Sequence, residues 1–251
     1  MLLRKPLSIR SDICSKIGSI EKTFADTWLH AFQMPENYQI TMAIASTIFC
    51  SSANSIPSEY AISRVGTMIA EKHHFVEDAK PKDSYDRIFS LIQEGLQKRS
   101  ITTNTDMTTS LLLVAVDNTN IVHYSNAGYC KALLWNKGSL YGITSNSRIE
   151  QEMSLPLGMI DPIKLSITKP EIEYTQIHLK KGNAIIVLSP GIIEKQPMPQ
   201  NMKKILQENK DTKVICHRII ETYQALLSEK RESEAESADS TEIMVGCIYA
   251  S

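Results

Sequence analysis

The hydrophobic positions of this chain change period several times along its length. In the N-terminal third they alternate, as in Leu7-Ser8-Ile9-Arg10-Ser11-Asp12-Ile13 and again over residues 28–32 and 38–44, which predicts three strands. Met34-Pro35-Glu36-Asn37 between the last two predicts a turn. The period then becomes helical. After Ser55-Ile56-Pro57-Ser58, the residues Ala61, Val65, Met68 and Ile69 share one face of a helix near 58–72, capped by Ser55 or Ser58. Tyr85, Ile88, Phe89, Ile92 and Leu96 form a second stripe near 84–98, with Asp83 or Ser84 as cap and Lys98 and Arg99 suited to its C-terminal end. Strands return at 108–117 and 121–125 around the turn Asp117-Asn118-Thr119-Asn120, and at 132–135 and 139–143 around Asn136-Lys137-Gly138. Further strands are predicted at 174–179 and 184–188. Ile215, Ile219, Tyr223 and Leu226 predict a helix over 213–227, the charged run 229–238 a flexible acidic loop, and 242–249 a closing strand.

Strands, two helices, many strands, a helix and a last strand make an α+β layered architecture. At 251 residues and 42% hydrophobic content, one domain over 1–251 buries one substantial core. Lys plus Arg is 27 and Asp plus Glu is 28, a balance that points away from nucleic acid and from an anionic membrane as partners. No run is long enough to span a bilayer, and the first residues lack a signal-peptide core. The five cysteines, Cys14, Cys50, Cys130, Cys216 and Cys247, are odd in number, scattered, and never in C-x-x-C. That reads as reduced, buried thiols in a cytoplasmic protein, not a zinc site or a disulfide framework.

The stretch 110–194 carries the chemical information. It contains Ser-Leu-Leu-Leu-Val-Ala-Val-Asp (110–117), Ile-Val-His-Tyr-Ser-Asn-Ala-Gly-Tyr (121–129), Leu-Pro-Leu-Gly (155–158), Leu-Lys-Lys-Gly-Asn (179–183) and Ile-Ile-Val-Leu-Ser-Pro-Gly-Ile-Ile-Glu (185–194). In order and spacing this resembles the PPM family, the 2C-type metal-dependent serine/threonine phosphatases, and especially its bacterial branch that regulates sigma factors and stress signalling. Members of that branch read N-A-G-H, P-L-G, L-x-x-G-D and T-D-G-hydrophobic-x-E. Here Tyr129 stands for the His, Asn183 for the first Asp and Pro190 for the metal-binding Asp. The resemblance implies an α-β-β-α sandwich, two antiparallel sheets flanked by helices, over roughly 20–250.

It also implies a site where two Mg²⁺ or Mn²⁺ ions bridged by a water are caged by carboxylates and backbone oxygens. The family takes those carboxylates from four places. An E-D pair corresponds to Ala25-Asp26. A D-G after a hydrophobic strand corresponds to Ser46-Thr47, followed by Ile48, Phe49 and Cys50 where the family has small glycines. The D-G after the strand 185–188 corresponds to Pro190-Gly191, which keeps the turn and loses the ligand. A D-[ND]-x-T before the last strand corresponds to Ala238-Asp239-Ser240-Thr241. Ser and Pro supply neither the charge nor the oxygens of a carboxylate, so no bound metal is expected. Mn²⁺ or Mg²⁺ returns only if Asp26, Asp239 and the acidic loop (Glu234 or Glu236) form a replacement cage; Asp26 and Asp239 read more simply as turn residues.

The expected protein is therefore a catalytically silent, PPM-like pseudophosphatase that binds a protein partner, a kinase or phosphoprotein, over Ile48, Phe49, Cys50 and Pro190. A divergent active Mn²⁺/Mg²⁺ phosphatase is the alternative, and an adaptor on an unrelated α+β fold is third. His73-His74 reads as a surface pair at a helix end, and no P-loop or G-x-S-x-G is present.

Overall fold

A computed structural model describes residues 7–16, 27–32, 38–47, 56–71, 80–144, 155–158, 170, 172–190, 192, 198–233 and 243–251. Among these residues, ten strands and four helices follow one another as β1 (Ile9–Lys16), β2 (Thr27–Phe32), β3 (Tyr38–Thr47), α1 (Ile56–Ala70), α2 (Pro81–Thr103), β4 (Thr109–Asp117), β5 (Ile121–Ala127), β6 (Lys131–Asn136), β7 (Ser139–Gly142), β8 (Glu173–His178), β9 (Ala184–Leu188), α3 (Met198–Glu208), α4 (Thr212–Ser233) and β10 (Ile243–Ala250). They form two five-stranded sheets, ordered β1-β10-β9-β6-β7 and β2-β3-β4-β5-β8. Every strand pairing is antiparallel.

Three apolar layers hold the sandwich. Met42, Ile44, Leu112, Val114, Val122, Ile185, Val187 and Ile248 fill the space between the sheets. The opposite face of the second sheet packs Ala43, Leu111 and Leu113 against Val65, Met68, Ile88, Phe89 and Ile92 of α1 and α2. The opposite face of the first sheet packs Ile186, Leu188, Val245 and Cys247 against α3 and α4. Central strands are thus buried on both faces, which is why β4 and β10 read as unbroken apolar runs. Each fully buried large side chain of this kind contributes about 1.5–3 kcal/mol. This is the α-β-β-α sandwich expected from the motifs.

The helix pair α1 and α2 is antiparallel, as the Arg99 guanidinium near the end of α2 lies 4.4 Å from the ring centroid of Tyr60 near the start of α1. Both hairpin turns form. Asp117 Oδ1 accepts the N–H groups of Thr119 and Ile121, and Lys137 and Gly138 take positive φ, the two-residue turn that a right-twisted hairpin favours.

Four expectations need correction. The second helix starts at Pro81, with Lys80 at the cap position and no side-chain cap bond; Asp83 and Ser84 lie inside its first turn. Proline at the first turn has its φ preset and no N–H to satisfy, so the helix opens earlier than Asp83 or Ser84. The first helix ends at Ala70, and Ser58 within it is buried. The helix expected at 213–227 continues to Ser233, so the backbone of 229–233, taken for loop, is helical; Glu, Lys and Arg are good helix formers, and charge alone does not end a helix. Finally, α3 was not expected, although Met198, Met202, Ile205 and Leu206 bury one face at i, i+4, i+7 and i+8. The predicted turn at Met34-Pro35-Glu36-Asn37 and the pair His73-His74 lie outside the described residues.

Candidate functional site

Strand register gathers the motif residues at one end of the sandwich. Ser46 near the end of β3 is opposite Thr27 of β2 and Ser110 of β4. Next along the sheet, Ala127 ends β5, and Gly128, Tyr129 and Cys130 carry the chain across to Lys131 of β6 in the other sheet. There Lys131 is opposite Leu188, the last residue of β9. A crossing this short brings the β3–β4–β5 end of one sheet against the β9–β10 end of the other, which is where the family's metals would lie.

Alternation decides what lines that end. Met42 and Ile44 face the inter-sheet core, and so does Ser46; Leu112 and Val114 put Ser110 on the same side, Val122 and Tyr124 do so for Asn126, and Ile185 and Val187 for Ser189. Ser46, Ser110, Asn126 and Ser189 are all buried. Ser110 Oγ accepts the Tyr129 N–H at 2.7 Å, so the Tyr in place of the family's His leaves the turn intact. Gly128 has φ +91°, and a Cβ there would collide with Ser110. Ser189 Oγ accepts the Met244 N–H at 3.1 Å. Asn126 Nδ2 reaches the Gly128 carbonyl at 3.3 Å, while its Oδ1 is buried with no hydrogen-bond partner among the described residues.

Among the described residues the lining is hydroxyl and amide. Among the described residues no three His, Cys, Asp or Glu side chains are grouped to hold a metal ion. A pair of divalent cations requires formal negative charge as well as oxygen ligands, and Ser46, Ser110, Asn126 and Ser189 bring none. The residues described do not fit the family's two-metal centre.

The individual positions behave as follows. Thr47 turns to the helix side, where its Oγ1 donates to Ser58 Oγ at 2.9 Å and seats the start of α1. Pro190 is a half-buried turn residue directly after Ser189. Asp26, Ile48, Phe49, Cys50, Gly191, Ala238 and Asp239 lie outside the described residues, as do Glu234 and Glu236. Asn183 is at the other end of β9, away from Pro190. Its Oδ1 accepts the Lys180 N–H at 2.8 Å and its Nδ2 donates to Asn136 Oδ1 at 3.0 Å. An aspartate would accept the same N–H, so Asn183 shapes a turn and its identity bears on no metal. Leu157 pairs with Thr109 through both backbone hydrogen bonds, and the Gly158 N–H donates to buried Gln93 Oε1 at 2.6 Å. The P-L-G segment therefore braces the start of β4 against α2.

Ser110, Asn126 and Ser189 were missed as site residues, although each sits in or beside a motif. A search for acids passes over neutral side chains that occupy the same face.

The comparisons with known proteins agree with this architecture. No curated protein sequence matches. Among solved structures, a Streptococcus agalactiae (S. agalactiae) serine/threonine phosphatase is similar with a TM-score of 0.74 at 13% identity, covering 97% of this chain and 100% of its own. The catalytic domain of the phosphatase PstP in complex with two manganese ions gives 0.69 at 14%, covering 96% and 97%. The PP2C phosphatase domain of the cell fate determinant SpoIIE from Bacillus subtilis, with a fragment of its regulatory domain, gives 0.63 at 14%, covering 98% of this chain and 64% of that one. At such identities the likeness establishes the PPM phosphatase fold. A family model described as Stage II sporulation protein E (SpoIIE) matches residues 55–242, more than half of the chain, and the protein is thus a member of the SpoIIE family.

Proposed function

We propose that this SpoIIE-family chain is a pseudophosphatase, a PPM-fold protein that no longer hydrolyses phosphate esters and regulates a phosphorylation-dependent pathway by binding a kinase or phosphoprotein in the cytoplasm. The observation that carries the reading is that Ser46 and Pro190 stand at the motif end where the resemblance gives a two-metal hydrolase its carboxylates. Removing metals from a cage of acids leaves uncompensated buried charge, which is strongly unfavourable. Neutral residues relieve that cost and give a stable, metal-free end. With no metal to lower the pKa of an attacking water or to offset phosphoryl charge, hydrolysis loses its driving elements.

The apolar residues around this end support protein binding. Ile56, where α1 begins, is 38% exposed, and Leu155 of the P-L-G segment is 50% exposed. Thr47 ties the start of α1 to the end of β3, next to the segment Ile48-Phe49-Cys50 that replaces the family's glycines. Exposed apolar side chains of this kind more often serve a protein contact than a small molecule. Among the described residues no helix is long and apolar enough to cross a membrane.

Two measurements test the reading. Purified protein with Mn²⁺ or Mg²⁺ is expected to release no phosphate from para-nitrophenyl phosphate or from phosphopeptides, and calorimetric titration with Mn²⁺ to show no stoichiometric binding. Turnover that depends on Mn²⁺ and disappears in Asp239→Ala would instead establish the divergent active phosphatase, with Asp26 and Asp239 as metal ligands. For docking, Phe49→Asp is expected to abolish binding to the identified kinase or phosphoprotein while leaving Tm nearly unchanged. An unfolded Phe49→Asp variant would place Phe49 in the core and defeat the docking surface.

A further inference from the structure

Three thiols far apart in sequence meet between the first sheet and α4. Cys14 of β1, Cys247 of β10 and Cys216 of α4 border one apolar cluster. The register places Asp12 of β1 opposite Cys247, with Cys14 two residues further along the same face. Cys216 Sγ donates to the Asp12 carbonyl at 3.5 Å, and Cys14 Sγ lies 4.0 Å from the carbonyl of Lys213, one helical turn before Cys216. Cys216, set against the Asp12 carbonyl, is thereby neighboured by both Cys247, opposite Asp12, and Cys14. All three are free thiols, and of these Cys14 alone is partly exposed.

From this juxtaposition we infer that Cys14 and Cys216 are an oxidisable pair, which hydrogen peroxide converts to a disulfide tying the edge strand β1 to α4. Cys14 is the thiol a solvent-borne oxidant reaches. Its sulfur attacks the peroxide O–O bond; an S–O bond forms, the O–O bond breaks, and the departing oxygen leaves as water with the thiol proton. Cys216 then attacks the Cys14 sulfenic acid; the S–S bond forms, the S–O bond breaks, and the hydroxyl leaves as a second water with the Cys216 proton. Two thiols are oxidised and one hydrogen peroxide is reduced. Geometry selects the partner. Cys14 and Cys247 are diagonal neighbours on adjacent strands, about 7–8 Å apart at Cα, beyond the usual disulfide span of about 7 Å. Cys216 sits above both and is within reach of Cys14. Burial, followed by the neighbouring Cys216 and Asp12, pushes the Cys14 thiol up, so oxidation is slow in neutral buffer and faster in alkaline buffer.

The test treats folded protein with hydrogen peroxide and maps non-reduced peptides by mass spectrometry. The expected product is an intramolecular Cys14–Cys216 peptide, reversed by dithiothreitol, absent in Cys14→Ser and in Cys216→Ser, and retained in Cys247→Ser. In urea the same oxidation is expected to give a mixture of pairings, since the selectivity comes from the fold. A Cys216–Cys247 bridge that persists in Cys14→Ser overturns the inference. So do Cys14 sulfinic acid without a cross-link, bridges only between molecules, and an equally selective Cys14–Cys216 bridge in urea.

Discussion

Gly158→Ala is expected to destabilise the protein by about 4 kcal/mol or more, the range where a strained backbone and a steric collision act together. In a domain of this size that lowers Tm by on the order of 10 °C. Gly158 holds φ +88°, and a Cβ there would overlap the Met107 carbonyl oxygen and come within 3.2 Å of Leu96 Cβ. Neither obstacle is the free end of a side chain. Met107 precedes β4, and Leu96 is buried in α2. Relief would therefore break either the paired hydrogen bonds of Leu157 and Thr109 or the Gly158–Gln93 bond. Gly182→Ala is the control. Its φ is +83°, with nothing within 4 Å of an added Cβ, so it is expected to cost only the left-handed penalty of about 1–2 kcal/mol. Chemical denaturation of both variants checks the point, and equal losses would show that the collision at Gly158 is not real.

The same segment explains why the fold was legible while the chemistry was less so. Gly128 and Gly158 sit where the backbone has positive φ and a Cβ meets another chain segment. Asn183 fills a turn by hydrogen bonding. Such residues persist for steric reasons whether or not a metal is bound, and they make the family outline legible in the sequence. The double-faced strands were equally plain, because burial on both sides leaves an unbroken apolar run. What stayed hidden has physical causes too. The α3 stripe was masked by Pro199 in its first turn and by the polar run that follows Met202. The neutral lining from Ser110, Asn126 and Ser189 requires strand register, which sequence does not display. Cys14, Cys216 and Cys247 become neighbours only when β1 and β10 pair and α4 packs across them. Asp117 was legible as a turn residue, but not as the anchor of a buried network.

That network gives the second large effect. Asp117 Oδ1 accepts the N–H of Thr119 at 2.8 Å and of Ile121 at 2.9 Å, while Oδ2 meets His123 Nε2 at 3.0 Å. His123 is buried, and its Nδ1 lies 3.0 Å from the Tyr174 hydroxyl. The rings of Tyr38 and Tyr85 pack against His123 on two further sides. Asp117→Ala would leave the two turn amides and a buried imidazole N–H without an acceptor, an expected loss of about 3–5 kcal/mol. The network also contributes to both limbs of the pH profile. Burial opposes the Asp117 charge, but the bonds from His123, Ile121 and Thr119 outweigh it and hold the carboxyl below its ordinary value. A depressed carboxyl contributes its full stability above the unfolded value of about 3.9 and loses it as the pH falls through the lower, folded value. At the other limb, burial, with Asp117 and Tyr174 adding to it, pushes Tyr38 up from 10.0 to about 12. A neutral phenol with a raised folded value stabilises below the unfolded one, and that contribution declines as the pH climbs from 10.0 to about 12. Asp117→Ala is therefore expected to flatten the acid limb of Tm against pH and to leave Tyr38 titrating closer to its ordinary value, while Tyr38→Phe flattens the alkaline limb alone. Scanning Tm across pH for the three proteins checks this, and an acid limb in Asp117→Ala as steep as in the parent would show that other carboxylates govern it.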